Sequence, residues 1–251
     1  MRESDPMEKE WFKDWFASED YLKVYNHRDS IDAQHLSDLI IQNINPKPED
    51  YILDSACGMG RHGIYLASKG FKIIGFDLSK ILLLKAKEEN EKAETKVGLL
   101  QADIREITFK RKFFAVFNLF TSFGYFDSDE ENFRFVKHSS EFLMDKGFYI
   151  LDYFNKGFLE KNLVPESNKE IEGLLINEKR FIENDRVVKK IKLKDENHSS
   201  EFKESVRLYD WKYIVEKFSL FGFNTSKIFG DYHGTDFHEH KSPRLIIIFQ
   251  K

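Results

Sequence analysis

Two carboxylates and a glycine-rich turn lie close together in the sequence and outline a candidate ligand site. Asp54 ends the apolar run of residues 51–54, Gly58 and Gly60 follow it, and Asp77 ends the next apolar run. Glycine adopts backbone angles that a Cβ forbids, so a ligand can lie against bare backbone at this turn. Exposed N–H groups at the start of a following helix attract a negative ligand group, and a carboxylate at the position of Asp77 accepts hydrogen bonds from ribose hydroxyls. These residue types predict the binding of a cofactor that contains a nucleoside.

Two classes of cofactor fit this spacing. The pattern Gly58-x-Gly60-x-x-Gly63 matches the dinucleotide fingerprint, in which the glycines follow the strand at once so that a pyrophosphate can reach the start of the helix. Here Asp54 precedes the turn, and its charge would repel a pyrophosphate but suits a cofactor that carries an ammonium group and no phosphate. The additional acid favours the second class, and a nicotinamide-dependent dehydrogenase stays as an alternative.

The acid, the small-residue turn and the second acid make this stretch resemble the class I S-adenosylmethionine-dependent methyltransferases. Ala56 stands where many members of that family have their first glycine, and alanine is small enough for the position. The resemblance implies S-adenosyl-L-methionine as the cofactor and S-adenosyl-L-homocysteine as the product. It also implies that the first β-α-β unit supplies the following cofactor-binding residues: Asp54, Ala56, Cys57, Gly58, Gly60, Arg61, His62, Asp77, Leu78 and Ser79.

The same resemblance assigns the rest of the cofactor site to later segments. Asp103 and Ile104 follow a third apolar run, where the family binds the adenine amino group and borders the adenine ring. Asn118, Leu119 and Phe120 end the fourth run, and in the family these residues lie between the methionine part of the cofactor and the substrate. The N-terminal helices close over the pocket in such enzymes, and their candidates for the methionine end or the substrate are Tyr21, Tyr25 and Arg28.

Hydrophobic periodicity places these residues on an α/β fold. Apolar residues recur at helical spacing in residues 1–50, which we predict to form a helical cap. Residues 51–156 and 208–251 alternate apolar runs with helical patterns, which predicts a Rossmann-like sheet of seven strands. The resemblance implies that its seventh strand is antiparallel and lies between the fifth and the sixth. Residues 170–184, 186–194 and 201–208 alternate with period two and are predicted to be strands, so we predict that residues 157–207 form an antiparallel β insert over the mouth of the pocket.

Composition and charge weigh against several other classes of protein. The formal net charge of −4 leaves no overall field that would draw the chain to nucleic acid or to an anionic membrane. Neither a signal peptide nor an apolar run of membrane-spanning length is evident, so we predict a cytoplasmic protein without a membrane partner. The single cysteine, Cys57, cannot form an internal disulfide and fits a reducing compartment. The sequence does not define an oligomeric state.

Two residues are candidates for the general base that an amine or hydroxyl acceptor would need. Tyr125 follows the fourth strand, and His233 lies in a loop that contains further histidines and aspartates: Asp231, Asp236, His238 and His240. Such side chains could ligate a metal, but loops of this composition are usually solvated, so we predict no metal site.

The sequence therefore predicts an S-adenosylmethionine-dependent methyltransferase with an unidentified small-molecule acceptor. An RNA methyltransferase is an alternative, because Lys190, Lys192 and Lys194 form a row on one face of a predicted strand. A solvated sheet face explains this row better, given the acids interleaved nearby. A protein that binds the cofactor without catalysis is a further alternative, and it would show no turnover with any acceptor.

Overall fold

The computed structural model describes residues 10–25, 30–196 and 199–251. The helices in these ranges are α1 (Trp11–Phe16), α2 (Glu19–Tyr25), α3 (Ser30–Ile44), α4 (Arg61–Ser68), α5 (Lys80–Lys92), α6 (Asp129–Phe142), α7 (Lys156–Asn162) and α8 (Trp211–Ser219). The strands are β1 (Tyr51–Ser55), β2 (Lys72–Asp77), β3 (Gly98–Gln101), β4 (Phe113–Asn118), β5 (Leu143–Phe154), β6 (Glu166–Ile171), β7 (Leu174–Glu183), β8 (Arg186–Lys194), β9 (Ser199–Arg207), β10 (Asn224–Phe229) and β11 (Arg244–Gln250).

The central sheet has seven strands in the order β10-β11-β5-β4-β1-β2-β3. The pairs within β1 to β5 are parallel, whereas β11 runs antiparallel to both β5 and β10. The predicted Rossmann-like sheet is confirmed, including an antiparallel last strand between its fifth and sixth strands. Because the parallel strands end at one edge, Asp54, Asp77 and Asn118 come together there.

Helices cover both faces of this sheet, which explains why its middle strands are apolar along nearly their whole length. On one face, a cluster joins Phe133 of α6 and Phe218 of α8 to the sheet. On the other face, Leu36 of α3 and Leu66 of α4 belong to a second cluster. Phe117 of β4 is fully buried. This packing makes the sheet a rigid platform for the side chains at its edge.

The second sheet is antiparallel, with four strands in the order β6-β7-β8-β9. Its apolar face, which includes Ile176 and Ile191, packs in one cluster with Trp11 and Trp15 of α1 and Val24 of α2. The lysine row of β8 lies on the opposite, exposed face: Lys190, Lys192 and Lys194. The second sheet thus supports α1 and α2 from outside. Among the described helices, none has both the length and the apolar character needed to cross a bilayer.

Candidate active site

A cavity lies at the carboxyl edge of the central sheet, between the strand ends and the two N-terminal helices. Residues of the glycine turn form its floor, and residues that follow β2, β3 and β4 form its sides. Much of its wall is aromatic and comes from α1, α2 and the segment after β4: Phe12, Phe16, Tyr21, Tyr25, Tyr125 and Phe126. The cavity therefore combines a polar floor with an apolar cover, which is the usual composition of a small-molecule site.

The turn after β1 has the left-handed backbone that its glycines predict. Gly58 and Gly60 have φ values of 55° and 72°, and Ala56 has a φ of 50°. An alanine in this region costs about 1 kcal/mol relative to glycine, so Ala56 is tolerated where the related family often has glycine. Gly60 immediately precedes α4 and lies outside the cavity lining, whereas Ala56, Cys57 and Gly58 line the floor.

Asp77 is fixed by backbone groups on both sides. Its Oδ2 accepts a hydrogen bond from Gly58 N–H at 2.8 Å, and its Oδ1 accepts one from Ser79 N–H at 2.8 Å. Burial raises the pKa of the Asp77 carboxyl, and these two N–H groups oppose that rise. Each carboxylate oxygen can accept more than one hydrogen bond, so Asp77 can still bind ligand hydroxyls. Leu78 lines the cavity, while the Ser79 hydroxyl caps α5 by accepting from Leu82 N–H.

Asp54 is the most unusual acid of the site. It is 3% exposed, and its Oδ2 has no hydrogen-bond partner in the protein. Burial raises the pKa of this carboxyl to about 7 and the nearby Asp77 acts in the same direction, whereas the Gly63 backbone N–H and Arg61 oppose this rise. Asn118 Oδ1, at the end of the adjacent strand, is also buried without a partner. Buried polar atoms without partners are rare in native proteins, and here two of them line one cavity.

Arg61 and His62 lie at the start of α4 and line the same end of the cavity. The guanidinium carbon of Arg61 is 5.0 Å from the centre of the Phe120 ring. His62 is buried, with Nδ1 at 3.2 Å from Ser37 Oγ and Nε2 without a partner. Burial lowers the pKa of His62 to about 3, so the imidazole is neutral near pH 7. Leu119 and Phe120 complete this end.

Asp103 and Ile104, which follow β3, also line the cavity. Asp103 forms a two-pronged ion pair with Arg105, with Nε–Oδ1 at 3.1 Å and Nη2–Oδ2 at 2.6 Å. Burial alone would raise the pKa of Asp103, but the Arg105 guanidinium outweighs burial and holds that pKa below its ordinary value. Arg105 also lies over the Phe126 ring at 4.8 Å. Asp103 is therefore ionised and held in a fixed orientation, and it is the residue predicted to bind the adenine amino group.

The remaining predicted residues have different locations. Tyr125 lines the cavity and packs against Trp11 at 5.1 Å between ring centres. His233 is exposed outside the lining, with its ring 4.9 Å from that of His35. Tyr25 lines the cavity and donates its hydroxyl hydrogen to Glu204 at 2.7 Å. Arg28 lies outside the described residues.

The surroundings of Cys57 and the arrangement of the metal-ligating side chains bear on two other kinds of chemistry. Burial raises the pKa of the Cys57 thiol well above its ordinary value, so this cysteine is a poor nucleophile. Within the described ranges, no group of histidine, cysteine and acidic side chains has an arrangement that could hold a metal ion.

Sequence reasoning missed several residues of the cavity. Phe12 and Phe16 of α1, Met59 in the turn, Phe126 and Asn132 all line it. The aromatic residues near the N-terminus showed helical spacing, but that pattern is equally typical of a buried core helix. No local signal identifies Asn132, because its place depends on how α6 packs beside the sheet.

Comparison with known proteins is consistent with this site. Residues 52–147 match the family model of a methyltransferase domain. A glycine/sarcosine N-methyltransferase of Aphanothece halophytica is 27% identical over 157 residues, which are 62% of this chain and 58% of that protein. A dTDP-3-amino-3,4,6-trideoxy-alpha-D-glucopyranose N,N-dimethyltransferase of Streptomyces venezuelae is 30% identical over 121 residues, or 48% of each chain. The chain thus spans about half the length of the curated relatives it matches.

Solved structures resemble the whole fold. An S-adenosylmethionine-dependent methyltransferase from Clostridium acetobutylicum superimposes with a TM-score of 0.78 at 22% identity, over 92% of this chain and 95% of that one. An amino pentose methyltransferase from Micromonospora echinaspora, solved with S-adenosylmethionine bound, gives a TM-score of 0.67 at 19% identity over 93% and 97%. At these identities the likeness establishes the fold.

The fold and the cavity thus define an α/β domain with a ligand-sized cavity at the carboxyl edge of its sheet. Residues 52–147 match a methyltransferase domain, and the fold is that of the class I S-adenosylmethionine-dependent methyltransferases. The methyltransferase domain, its fold and the cofactor predicted from the sequence are confirmed, whereas the role of each site residue stays a prediction.

Proposed function

We propose that this protein transfers a methyl group from S-adenosylmethionine to a small-molecule acceptor. The observation that carries the proposal is the buried Asp54 carboxyl, whose Oδ2 lacks a partner and whose pKa is raised to about 7 by burial. An ammonium group at this position would provide both a hydrogen-bond donor and an opposite charge. The cofactor has such a group on its methionine part, so the residues present fit it.

Each charged residue of the cavity has a complementary part of the cofactor in this proposal. Asp54 would bind the ammonium group, Arg61 the carboxylate, Asp77 the ribose hydroxyls and Asp103 the adenine amino group. The cofactor supplies a methyl group already activated on a sulfonium. The protein then has to orient the acceptor in line with that methyl group and keep water away, which requires little covalent work from side chains.

The acceptor would enter on the side that α1 and α2 cover, with the second sheet as their support. The wall there is mainly aromatic, which suits a small molecule better than a long polyanion, and the net charge of −4 supports the same choice. Relatives named as glycine/sarcosine and amino-sugar N-methyltransferases make an amine our first choice of acceptor. Tyr125 is the better placed of the two predicted bases, because His233 lies outside the cavity lining. We propose a cytoplasmic location for this reaction.

Two experiments test the proposal in sequence. Calorimetric titrations with S-adenosylmethionine, S-adenosylhomocysteine and NADH should show binding of the first two alone. Transfer of a labelled methyl group is then measured with glycine, sarcosine, an amino sugar nucleotide, a metabolite extract and total RNA. Label in a small molecule supports the proposal. Label only in RNA, or cofactor binding with no transfer to any of these acceptors, would refute it.

A further inference from the structure

Two consecutive residues after β4 have an unfavourable backbone conformation at the cavity wall. Phe120 and Thr121 have φ values of 57° and 65°, in the left-handed region that favours glycine. For a bulky and a β-branched residue, each such conformation persists only where the surrounding structure enforces it. The contacts around this turn identify what enforces it.

A buried ion pair on neighbouring strands holds the turn. The Asp152 carboxylate accepts Phe120 N–H at 2.9 Å, and the Asp152 carbonyl accepts Thr121 N–H at 3.0 Å. Arg244 donates to Asp152 Oδ1 at 2.8 Å and to Thr121 Oγ1 at 3.0 Å. Tyr232 donates its hydroxyl hydrogen to Asp152 Oδ2 at 3.2 Å. Asp152 is fully buried, so each hydrogen bond is well shielded from water.

This network determines where the Phe120 ring lies. The Tyr232 ring stacks on one side of it, with centres 6.4 Å apart and planes 27° from parallel. The Arg61 guanidinium lies over the same Phe120 ring at 5.0 Å. Phe120 and Arg61 line the cavity, whereas Asp152, Tyr232 and Arg244 lie behind its wall. Those three residues therefore reach a ligand through the turn and the Phe120 ring and not by contact.

We propose that Asp152, Arg244 and Tyr232 are positioning residues that hold the Phe120 ring under Arg61, and thereby set the affinity for the amino-acid part of the cofactor. The inference rests on the proposed function, because it assigns the methionine carboxylate to Arg61. Arg61 and Asp54 would then form a pair of opposite charges that matches a zwitterion. The nucleoside part of the cofactor, bound at Asp77 and Asp103, would not depend on this network.

The test compares two ligands that differ only at that end. S-adenosylhomocysteine has the amino-acid part, and 5′-methylthioadenosine has the nucleoside and lacks it. Calorimetry should show that Arg244→Met weakens S-adenosylhomocysteine by about tenfold or more and Tyr232→Phe by about threefold, while 5′-methylthioadenosine changes by less than about twofold. Phe120→Leu should reproduce the loss, and combining it with Tyr232→Phe should add little, because both changes act through one ring.

Tyr213→Phe is the matched control, because it removes a tyrosine hydroxyl from the carboxylate of Asp129 away from the cavity lining. It should leave both affinities unchanged. Equal losses for both ligands in the network variants would overturn the proposal in favour of general destabilisation. Unchanged affinity for S-adenosylhomocysteine in folded Tyr232→Phe and Phe120→Leu proteins would also overturn it. If the unmodified protein bound neither ligand, the proposed function itself would fail, which is a separate result.

Discussion

The two sheets of this protein differ in whether their buried polar side-chain atoms have hydrogen-bond partners. At the edge of the central sheet, Asp54 Oδ2, Asn118 Oδ1 and His62 Nε2 are buried without hydrogen-bond partners. In the described part of the second sheet, by contrast, no buried side-chain polar atom lacks a partner. An unpaired buried polar group costs free energy that a ligand can recover, whereas a fully paired network serves the fold alone. We therefore interpret the edge of the central sheet as a ligand site and the second sheet as a structural support for α1 and α2.

The second sheet contacts α1 and α2 through one largely buried carboxylate. Glu204 of β9 accepts hydrogen bonds from Tyr25 at 2.7 Å and Trp15 at 2.8 Å, and it pairs with Lys189 at 2.8 Å. Lys189 is 15% exposed and also approaches Glu178 at 3.7 Å. The charges of β8 and β9 thus hold α1 and α2 in place over the cavity.

The largest effect that we expect on stability comes from this network. Lys189→Met leaves Glu204 and Glu178 without their shared cation, and should lower the free energy of unfolding by about 2–3 kcal/mol. Urea unfolding measures this value. Lys192→Met is the matched control, because Lys192 pairs with Glu201 on the exposed face of the same strand, and it should change stability by less than about 0.5 kcal/mol. Similar losses of unfolding free energy in both variants would show that the lysines on the two faces of β8 contribute equally to stability, which would contradict this account.

Asp77→Ala should have the largest effect on cofactor binding at the central sheet. The loss of hydrogen bonds to a charged group costs about 1.5–3 kcal/mol, which corresponds to roughly ten- to a hundredfold in affinity for S-adenosylmethionine. Calorimetry measures the affinity, and circular dichroism checks that the variant is folded. Unchanged affinity in a folded variant would move the ribose site away from Asp77.

The pH dependence of binding is a smaller effect with a defined sign. Burial raises the pKa of Asp54 to about 7 in the ligand-free protein, from an ordinary value of 3.8. Below about pH 7 the carboxyl must lose a proton before it can bind an ammonium group, so the affinity for S-adenosylhomocysteine should fall by up to about tenfold per pH unit. Above about pH 7 the contribution of Asp54 to this affinity should be constant. Affinity independent of pH between 5 and 8 would show that Asp54 is already ionised or does not bind the ligand.

Sequence reasoning predicted those parts of the molecule that follow from local pattern. The strands of the central sheet followed from apolar runs, and the place of its antiparallel last strand followed from the family resemblance. The acids at the strand ends followed from the runs themselves. Local pattern was less informative where strands carry few apolar residues. The insert has four strands, and β6 was not recognised as a separate strand because its side chains alternate between exposed and half-buried polar groups. The turn at Gly173, with a φ of 81°, divides what had looked like one long strand.

The parts that were not predicted depend on contacts between distant residues. Arg105 contacts Glu10, which is 95 positions away in the sequence, and lies over the ring of Phe126. The Asp152–Arg244 pair joins residues that are 92 positions apart. The exposed position of His233 likewise depends on how its loop folds back beside α3. Spacing along the chain predicts none of these contacts.

The most direct test of the site is a titration of S-adenosylhomocysteine into the unmodified protein and into Asp54→Asn at pH 8, with urea unfolding of both ligand-free proteins. Because the variant removes a buried charge that the protein compensates only in part, it should unfold with a free energy about 1 kcal/mol higher and bind the ligand at least about tenfold more weakly. This gain in stability would be opposite in sign to the loss expected for Lys189→Met. Equal affinity of the two proteins, or loss of stability in Asp54→Asn, would contradict the assignment of this carboxyl to the cofactor.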